Sequence, residues 1–300
     1  MTTFHTVLDS AGCRLAATVG IPAGQPPFPA IVFTGPLTGV RDQVVAGYAE
    51  RLGELGFVTL TLDHRNFGES GGQPRQHEDP QGKLRDLRTA VAALIELPEV
   101  AADRIALFGI SLGGGYALQA AVTDPRVAAV VCVAGAFNSP LRTFRKLGPR
   151  AYRQVLERFL PAESGPDGEA AYLPVVAAGD GPAMIAGAEQ YAYFASHRGR
   201  SSHWENRITA ASAYNLILFD ALSAADLLGE LPLLLVHGRR DDYCSPDVAR
   251  EVYQRAAGPK KLVWLDTDCH VDLYDRSDLV SRAVEETAAF LDRHLPTTRG

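Results

Sequence analysis

The sequence predicts an α/β fold with a mostly parallel, twisted sheet, helices on both faces and an inserted helical segment. Three observations predict this class: short continuous apolar runs typical of buried strands, helical apolar stripes between them, and a central stretch where the alternation stops. The length of 300 residues is enough for one large domain with an insertion, or for two modest domains.

The N-terminal part begins with a predicted hairpin. Residues 4–8 and 14–21 read as strands on either side of a turn-like Asp-Ser-Ala-Gly segment. Strands and helices then alternate, which predicts a parallel sheet. The predicted strands are 30–33, 57–62, 104–108 and 127–133, and the helical stripes lie at 44–55, 84–95 and 112–122.

Residues 136–228 are predicted to form a helical cap, inserted between the two parts of one core at 1–135 and 229–300. The stretch is mainly helical in pattern and is broken by Gly-Pro pairs. Strands return at 232–237 and 261–265, with helices at 247–256 and about 278–294. Because strands return after it, an insertion is favoured over a separate helical domain.

Composition and charge exclude several classes of function. There are 29 basic and 35 acidic residues, giving a formal net charge of −6, and no long basic run predicts a nucleic-acid surface. No stretch has the apolar length of a membrane helix, and the N-terminus lacks the pattern of a signal peptide. The four cysteines follow no disulfide-rich pattern, which predicts reduced thiols in a cytoplasmic protein.

Ser111 is the predicted nucleophile. It is the centre of a Gly-Ile-Ser-Leu-Gly motif at 109–113, between a buried strand and a glycine-rich helix start. A serine in this sharp turn takes a strained backbone conformation, and the flanking glycines permit close packing. The amide of Leu112 lies at the helix N-terminus, where it can donate to a developing oxyanion. The alternative is a serine in a tight turn that performs no chemistry.

A serine hydroxyl needs a base, and His270 is the best candidate. It follows the last predicted strand across a short polar turn, so it can reach back over the sheet edge. The acid, which holds the imidazole in one tautomer, is expected after the preceding strand. Asp241 and Asp242 are adjacent there, and spacing alone does not choose between them.

Together these motifs resemble the α/β-hydrolase superfamily, and specifically its dienelactone-hydrolase-like branch, which includes polyketide transesterases and related acyl hydrolases. The resemblance spans nearly the whole chain outside the predicted cap. The matching segments are GPLTGV at 35–40, DHRNFGES at 63–70, GISLGGGYA at 109–117, HGRRD at 237–241 and HVDLYD at 270–275. It implies an α/β-hydrolase fold.

The resemblance also implies residue roles. In the family the acid commonly lies three residues after the glycine of the His-Gly pair, which favours Asp241 over Asp242. Many relatives carry His-Gly-Xaa in the oxyanion loop, whereas here the run is TGPL at 34–37. Because Pro36 has no N–H, the second oxyanion donor is expected at Leu37. The serine nucleophile departs from the cysteine of classical dienelactone hydrolases.

The predicted function is hydrolysis of an ester, thioester or related acyl bond of a small organic molecule, such as a secondary metabolite, through an acyl-enzyme. Three alternatives remain open: acyl transfer by the same acyl-enzyme, C–C bond hydrolysis, and an inactive ligand-binding homologue. His203, Trp204 and Tyr116 are candidates for the substrate pocket, although such aromatic residues could equally be packing.

No cofactor or metal is predicted. The sequence has no phosphate-binding Gly-Lys-Ser/Thr motif, and residues 35–39 are not a dinucleotide fingerprint. Cys244 and Cys269 lie near the predicted acid and base, but no ligand pair shows the usual close spacing of a metal site. The expected partner is a small-molecule acyl substrate, with neither nucleic acid nor membrane, and a homodimer stays open.

Overall fold

The computed structural model describes residues 1–160, 170–179 and 181–295. Residues 161–169 and 180, within the predicted cap, and 296–300 lie outside the described residues. Ten strands are described: β1 (Thr2–Ser10), β2 (Cys13–Ile21), β3 (Phe28–Thr34), β4 (Val58–Leu62), β5 (Val100–Ile110), β6 (Val127–Val133), β7 (Tyr172–Leu173), β8 (Ile208–Thr209), β9 (Leu233–Gly238) and β10 (Lys260–Leu265).

Eight of the strands form one sheet, in the spatial order β1-β2-β4-β3-β5-β6-β9-β10. β1 pairs with β2, and β2 with β4, in antiparallel orientation, whereas all neighbours from β4 to β10 are parallel. The strands β4 and β9 are buried along their whole length, as expected for a parallel sheet covered on both faces. The predicted mostly parallel α/β architecture is therefore confirmed.

Helices cover the sheet. They are α1 (Val44–Glu54), α2 (Pro80–Ile95), α3 (Leu112–Ala121), α4 (Pro140–Phe159), α5 (Ala188–Phe194), α6 (Ala211–Leu218), α7 (Pro246–Arg255), α8 (Asp272–Asp275), α9 (Ser277–His294) and a 3-10 helix (Leu222–Leu227). The predicted apolar stripe of α1 includes Leu55, which is instead 54% exposed, because the helix ends at Glu54 and Gly56 turns the chain with a φ of 98°. Among the helices described, none is long and apolar enough to cross a membrane.

The segment between β6 and β9 adds no strand to the large sheet in its described part. It contains α4, α5, α6, the 3-10 helix and a separate two-stranded pairing of β7 with β8. The described residues between 170 and 207 are largely irregular, so this region is less helical than its pattern predicts. Glycine and proline are frequent there, at Pro174, Gly179, Gly181, Pro182 and Gly187, and they interrupt helical runs.

Candidate active site

Ser111 occupies the turn between β5 and α3, at the carboxyl end of a central strand. Its backbone has φ 55° and ψ −123°, a conformation that L-residues rarely adopt. The turn is held from two sides: the Ser111 amide donates to the Val133 carbonyl (3.0 Å), and the Ser111 carbonyl accepts from the Ala136 amide (2.8 Å). This strained strand–turn–helix geometry presents the hydroxyl above the sheet.

The two glycines of the motif are required by close backbone approach. A Cβ on Gly109 would lie 2.1 Å from the Gly113 carbonyl oxygen, and a Cβ on Gly113 would lie 2.2 Å from that of Thr34. Both contacts are far inside van der Waals distance and involve backbone atoms, which have little freedom to move away. A larger residue at either position would displace the turn that carries Ser111.

Three of the predicted residues meet in one hydrogen-bonded chain. Nδ1 of His270 lies 2.7 Å from Oδ2 of Asp241, and Nε2 of His270 lies 3.1 Å from Oγ of Ser111. All three residues are buried: His270 is 2% exposed, Asp241 8% and Ser111 3%. Asp242 is exposed, and Asp241 is the one of the two adjacent aspartates that contacts the imidazole.

The loop after β9 fixes the carboxylate. Oδ1 of Asp241 accepts hydrogen bonds from the amides of Tyr243 (2.9 Å) and Cys244 (2.6 Å), which leaves Oδ2 for His270. Nε2 of His237, at the end of β9, lies 2.8 Å from the Cys244 carbonyl and ties the same loop to the sheet. The backbone amides of the loop therefore fix the orientation of the Asp241 carboxylate.

The pKa of His270 results from opposing effects. Burial lowers it, but the neighbouring side chain of Cys244 and the hydrogen bond with Asp241 raise it, and the balance lies above the usual value for imidazole. The partnership with Asp241 stabilises the imidazolium that forms when a base accepts a proton. The site can thus remove a proton from Ser111 and hold the resulting positive charge.

Tyr274 is a residue of the site that the sequence reasoning missed. Its hydroxyl lies 3.0 Å from Nε2 of His270, and its side chain is buried. The hydroxyl of Tyr48, on α1, donates to the Leu273 carbonyl (2.8 Å) and so anchors the helix α8 that carries Tyr274. The spacing of four residues after His270, within the matched segment 270–275, is the signal that could have indicated it.

Cys244 also belongs to the site. Its Sγ lies 4.0 Å from Oγ of Ser111, and one ligand atom each of Asp241, Cys244 and His270 lie within 4.8 Å of one another. Sequence spacing did not indicate this cluster, because Asp241 and Cys244 lie in the loop after β9 whereas His270 lies in the loop after β10. Cys269 contacts Asp272 (3.4 Å) and is not a member.

The two predicted oxyanion donors, Leu112 and Leu37, both line a cavity beside Ser111. Leu112 is the first residue of α3, and Leu37 lies in a turn closed by a bond from the Gly39 amide to the Pro36 carbonyl (2.9 Å). The cavity has a volume of about 300 Å³. Its described lining consists of Leu37, Ser111, Leu112, Ala136, Asn138, Leu216, Tyr243 and Cys244.

The predicted pocket residues are not part of that described lining, which corrects the expectation. Tyr116 lies in the core because its hydroxyl is directed to a buried carboxylate, Oε1 of Glu78 (2.7 Å). His203 lies beside Asp42 (3.3 Å) and lines a separate cavity of about 810 Å³ next to the β1–β2 hairpin. The polar ring of His203 contacts the acidic side chain of Asp42 beside this cavity.

Trp204 contacts the loop that carries Leu37 instead of lining this cavity. Its Nε1 donates to Oγ1 of Thr38 (3.0 Å), and its ring stacks on Phe194 with centroids 5.1 Å apart. Thr38 has a φ of 58° and follows Leu37 directly. A residue of the inserted segment therefore contacts the loop that carries a predicted oxyanion donor.

Comparison with known proteins places this site in a family. The family model for serine aminopeptidase S33 matches residues 42–277. The chain belongs to this family of α/β hydrolases. The resemblance to the α/β-hydrolase superfamily and the predicted fold class are both confirmed.

Several relatives of this S33-family hydrolase match most of its length. It is 32% identical to the uncharacterized protein PA2218 of Pseudomonas aeruginosa, over 97% of this chain and 80% of the relative. The crystal structure of PA2218 superimposes with a TM-score of 0.87 at 30% identity, and the match covers 98% of this chain and 94% of that chain. It is 25% identical to thiohydrolase aneE of Aspergillus aculeatus, over 82% of this chain and 80% of that protein. The crystal structure of GrgF from Penicillium sp., whose sequence is named polyketide transferase grgF, has a TM-score of 0.81 at 25% identity, covering 98% and 99%.

Proposed function

We propose that this S33-family protein hydrolyses an ester, thioester or related acyl bond, with Ser111 as nucleophile, His270 as base and Asp241 as acid. The supporting observation is the continuous buried chain from Asp241 through His270 to Ser111, with distances of 2.7 and 3.1 Å. The chain ends at a serine whose backbone is held in the conformation of a nucleophile elbow. Geometry of this kind activates a hydroxyl at neutral pH.

In the proposed reaction, His270 accepts the Ser111 proton as Oγ attacks the acyl carbon, and Asp241 stabilises the imidazolium. The backbone amides of Leu112 and Leu37 donate to the oxyanion of the tetrahedral intermediate. The intermediate collapses when His270 protonates the departing alcohol or thiol, leaving an ester on Ser111. His270 then deprotonates a water molecule, whose oxygen attacks that ester, releases the acid and restores the Ser111 hydroxyl.

The cavity supports a small acyl group with apolar character. Its volume of about 300 Å³ is at the lower end for ligand pockets, and Leu37, Leu112 and Leu216 supply apolar walls. Ala136, Asn138 and Leu216 come from residues 136–228, so we propose that this segment acts as a cap and selects the substrate. The amide side chain of Asn138 donates to the Leu216 carbonyl (2.9 Å), which joins two walls of the cavity.

Acyl transfer is the second candidate. It is favoured by similarity to a protein named polyketide transferase, 28% identical over 89% of this chain, and a thiohydrolase relative favours thioester donors. A cap that excludes water and admits an alcohol would direct the same acyl-enzyme to transfer. Incubation with an acyl thioester, with and without a competing alcohol, separates the two: transfer product in excess of free acid would reject the hydrolase assignment.

Labelling with a fluorophosphonate tests the catalytic assignment. We expect the wild-type protein to be modified at Ser111, and Ser111→Ala to lose labelling and at least about 10⁴-fold in kcat/KM for an acyl ester. Ser245→Ala, at an exposed serine next to Cys244, is the matched control and should retain both. A folded wild-type protein that resists the reagent would instead support an inactive binding homologue.

A further inference from the structure

The proposed reaction leaves the thiol of Cys244 unused, although it lines the cavity beside the nucleophile. Its Sγ is 4.0 Å from Oγ of Ser111, and ligand atoms of Asp241, Cys244 and His270 lie within 4.8 Å of one another. All four residues are buried. We propose that Cys244 and His270, supported by Asp241, form a binding site for a thiophilic divalent cation such as Zn²⁺, and that the bound cation blocks Ser111.

The spacing of the side chains suits a tetrahedral ion. Zinc bonds of about 2.3 Å to sulfur and about 2.0 Å to nitrogen or oxygen place neighbouring ligand atoms about 3.3 to 3.5 Å apart. The two measured separations are 3.1 Å from Nε2 of His270 to Oγ of Ser111, and 4.0 Å from that Oγ to Sγ of Cys244. Ligand atoms of Cys244 and His270 lie within 4.8 Å of each other, so a closing movement of at most about 1.3 Å would bring them to coordination distance of one ion.

The chemistry of the donors selects the kind of cation. A thiolate with an imidazole prefers Zn²⁺ or Cd²⁺ to the oxygen-seeking Mg²⁺ and Ca²⁺. Both carboxylate oxygens of Asp241 already accept hydrogen bonds: Oδ1 from two backbone amides, and Oδ2 from Nδ1 of His270. Asp241 would act as the carboxylate that orients a metal-binding histidine, and the ion would displace the Ser111 and Tyr274 hydroxyls from the Nε2 lone pair.

Binding of the cation and catalysis exclude each other. The Nε2 lone pair that would bind the ion is the one that accepts the Ser111 proton in the proposed reaction. Binding also releases the proton of the Cys244 thiol, so the site gains a sulfur–metal bond and one proton goes to solvent. The charges of the Cys244 thiolate and the Asp241 carboxylate together balance a divalent ion.

Titration with Cd²⁺ tests the site without any substrate, because a Cd²⁺–thiolate bond has its own ultraviolet charge-transfer band. We expect a band that saturates at one Cd²⁺ per chain in the wild-type protein. Cys13→Ala, which removes a partly buried thiol on β2, should keep the band, while Cys244→Ala and Cys244→Ser should lose it. A band that persists in folded Cys244→Ala, or is absent from the wild type, would overturn the proposal.

Fluorophosphonate labelling in the presence of Zn²⁺ tests the blockade. We expect Zn²⁺ to slow labelling of the wild type and of Cys13→Ala, and EDTA to restore it. Cys244→Ala should need more than about tenfold higher Zn²⁺ for the same effect. Equal sensitivity of this variant would overturn the role of Cys244. The Cd²⁺ band does not require a reactive serine, so failure of the proposed hydrolase function would be seen separately, as wild-type protein that is never labelled.

Discussion

The Tyr274 hydroxyl and the Ser111 hydroxyl lie at nearly the same distance from Nε2 of His270, 3.0 and 3.1 Å. With Nδ1 donating to Asp241, the neutral imidazole offers one acceptor lone pair, at Nε2. Burial raises the pKa of Tyr274 well above its usual value, so the phenol stays protonated and remains a donor. The two hydroxyls therefore compete for Nε2 whenever the imidazole is neutral.

Removing the competing hydroxyl should make Ser111 more reactive. We expect Tyr274→Phe to increase the second-order rate constant of fluorophosphonate labelling about fivefold, the equivalent of a hydrogen bond of about 1 kcal/mol. Tyr243→Phe is the control, because this tyrosine also packs near the imidazole, with ring centroids 5.5 Å apart, but is 40% exposed. Slower labelling of Tyr274→Phe would contradict competition and indicate that the phenol assists Ser111.

The two adjacent aspartates should differ sharply in their effect on catalysis. Asp241→Asn keeps the size of the side chain but removes the charge and the acceptor that select the His270 tautomer. We expect it to lower kcat/KM by about 10⁴-fold, whereas Asp242→Asn, on the surface, should stay within about twofold of wild type. Steady-state kinetics on one acyl ester compares the two variants. A larger loss in Asp242→Asn would mean that the acid has been misassigned.

The pH dependence of activity should report the raised pKa of His270. Only the neutral imidazole accepts a proton, so kcat/KM falls as pH decreases through this pKa, and the midpoint should lie above the value of about 6.5 for free histidine. The neighbouring Cys244 contributes to the rise, so Cys244→Ala should move the acid limb to lower pH. An unchanged or higher midpoint in this variant would show that the thiol does not influence the base.

Local sequence patterns were sufficient to predict the sheet and the tight turn that carries Ser111. The motif at 109–113 identifies Ser111 because strand, tight turn and helix start are all encoded within a few residues, and the close contacts of Gly109 and Gly113 explain why the motif needs glycine. The position of His270 after the last strand follows from chain order alone. These features depend on backbone geometry, which apolar runs and glycines reveal.

Contacts between distant segments could not be predicted in the same way. Cys244 meets His270 only because the β9 and β10 loops converge at one edge of the sheet. Tyr116 is predicted as a pocket residue, but its hydroxyl donates to Glu78, 38 positions away, and its side chain lies in the core. The helical pattern predicted for residues 136–228 did not give the path of the chain at 170–207, where the described residues are largely irregular.

The buried ion pair between Lys83 and Glu78 should be a major contributor to stability. Nζ of Lys83 lies 2.6 Å from Oε1 of Glu78, both side chains are almost fully buried, and the ammonium lies 4.6 Å from the centre of the Phe67 ring. The Glu78 backbone amide also donates to Oγ of Ser212 (2.9 Å), which joins the chain before α2 to helix α6. Removing the cation would leave a buried carboxylate whose only hydrogen-bond donor among the described side chains is Tyr116.

We therefore expect Lys83→Met to lower the free energy of unfolding by about 3 to 5 kcal/mol, since an unpaired buried charge is strongly destabilising. Arg153→Ala, in an exposed pair with Glu157, is the control and should unfold like the wild type. Urea denaturation followed by circular dichroism measures both. The double variant Lys83→Met with Glu78→Gln should regain part of the loss, because the neutral amide is less costly to bury than the carboxylate. Equal stabilities of Lys83→Met and Arg153→Ala would show that Lys83 does not compensate a buried negative charge on Glu78.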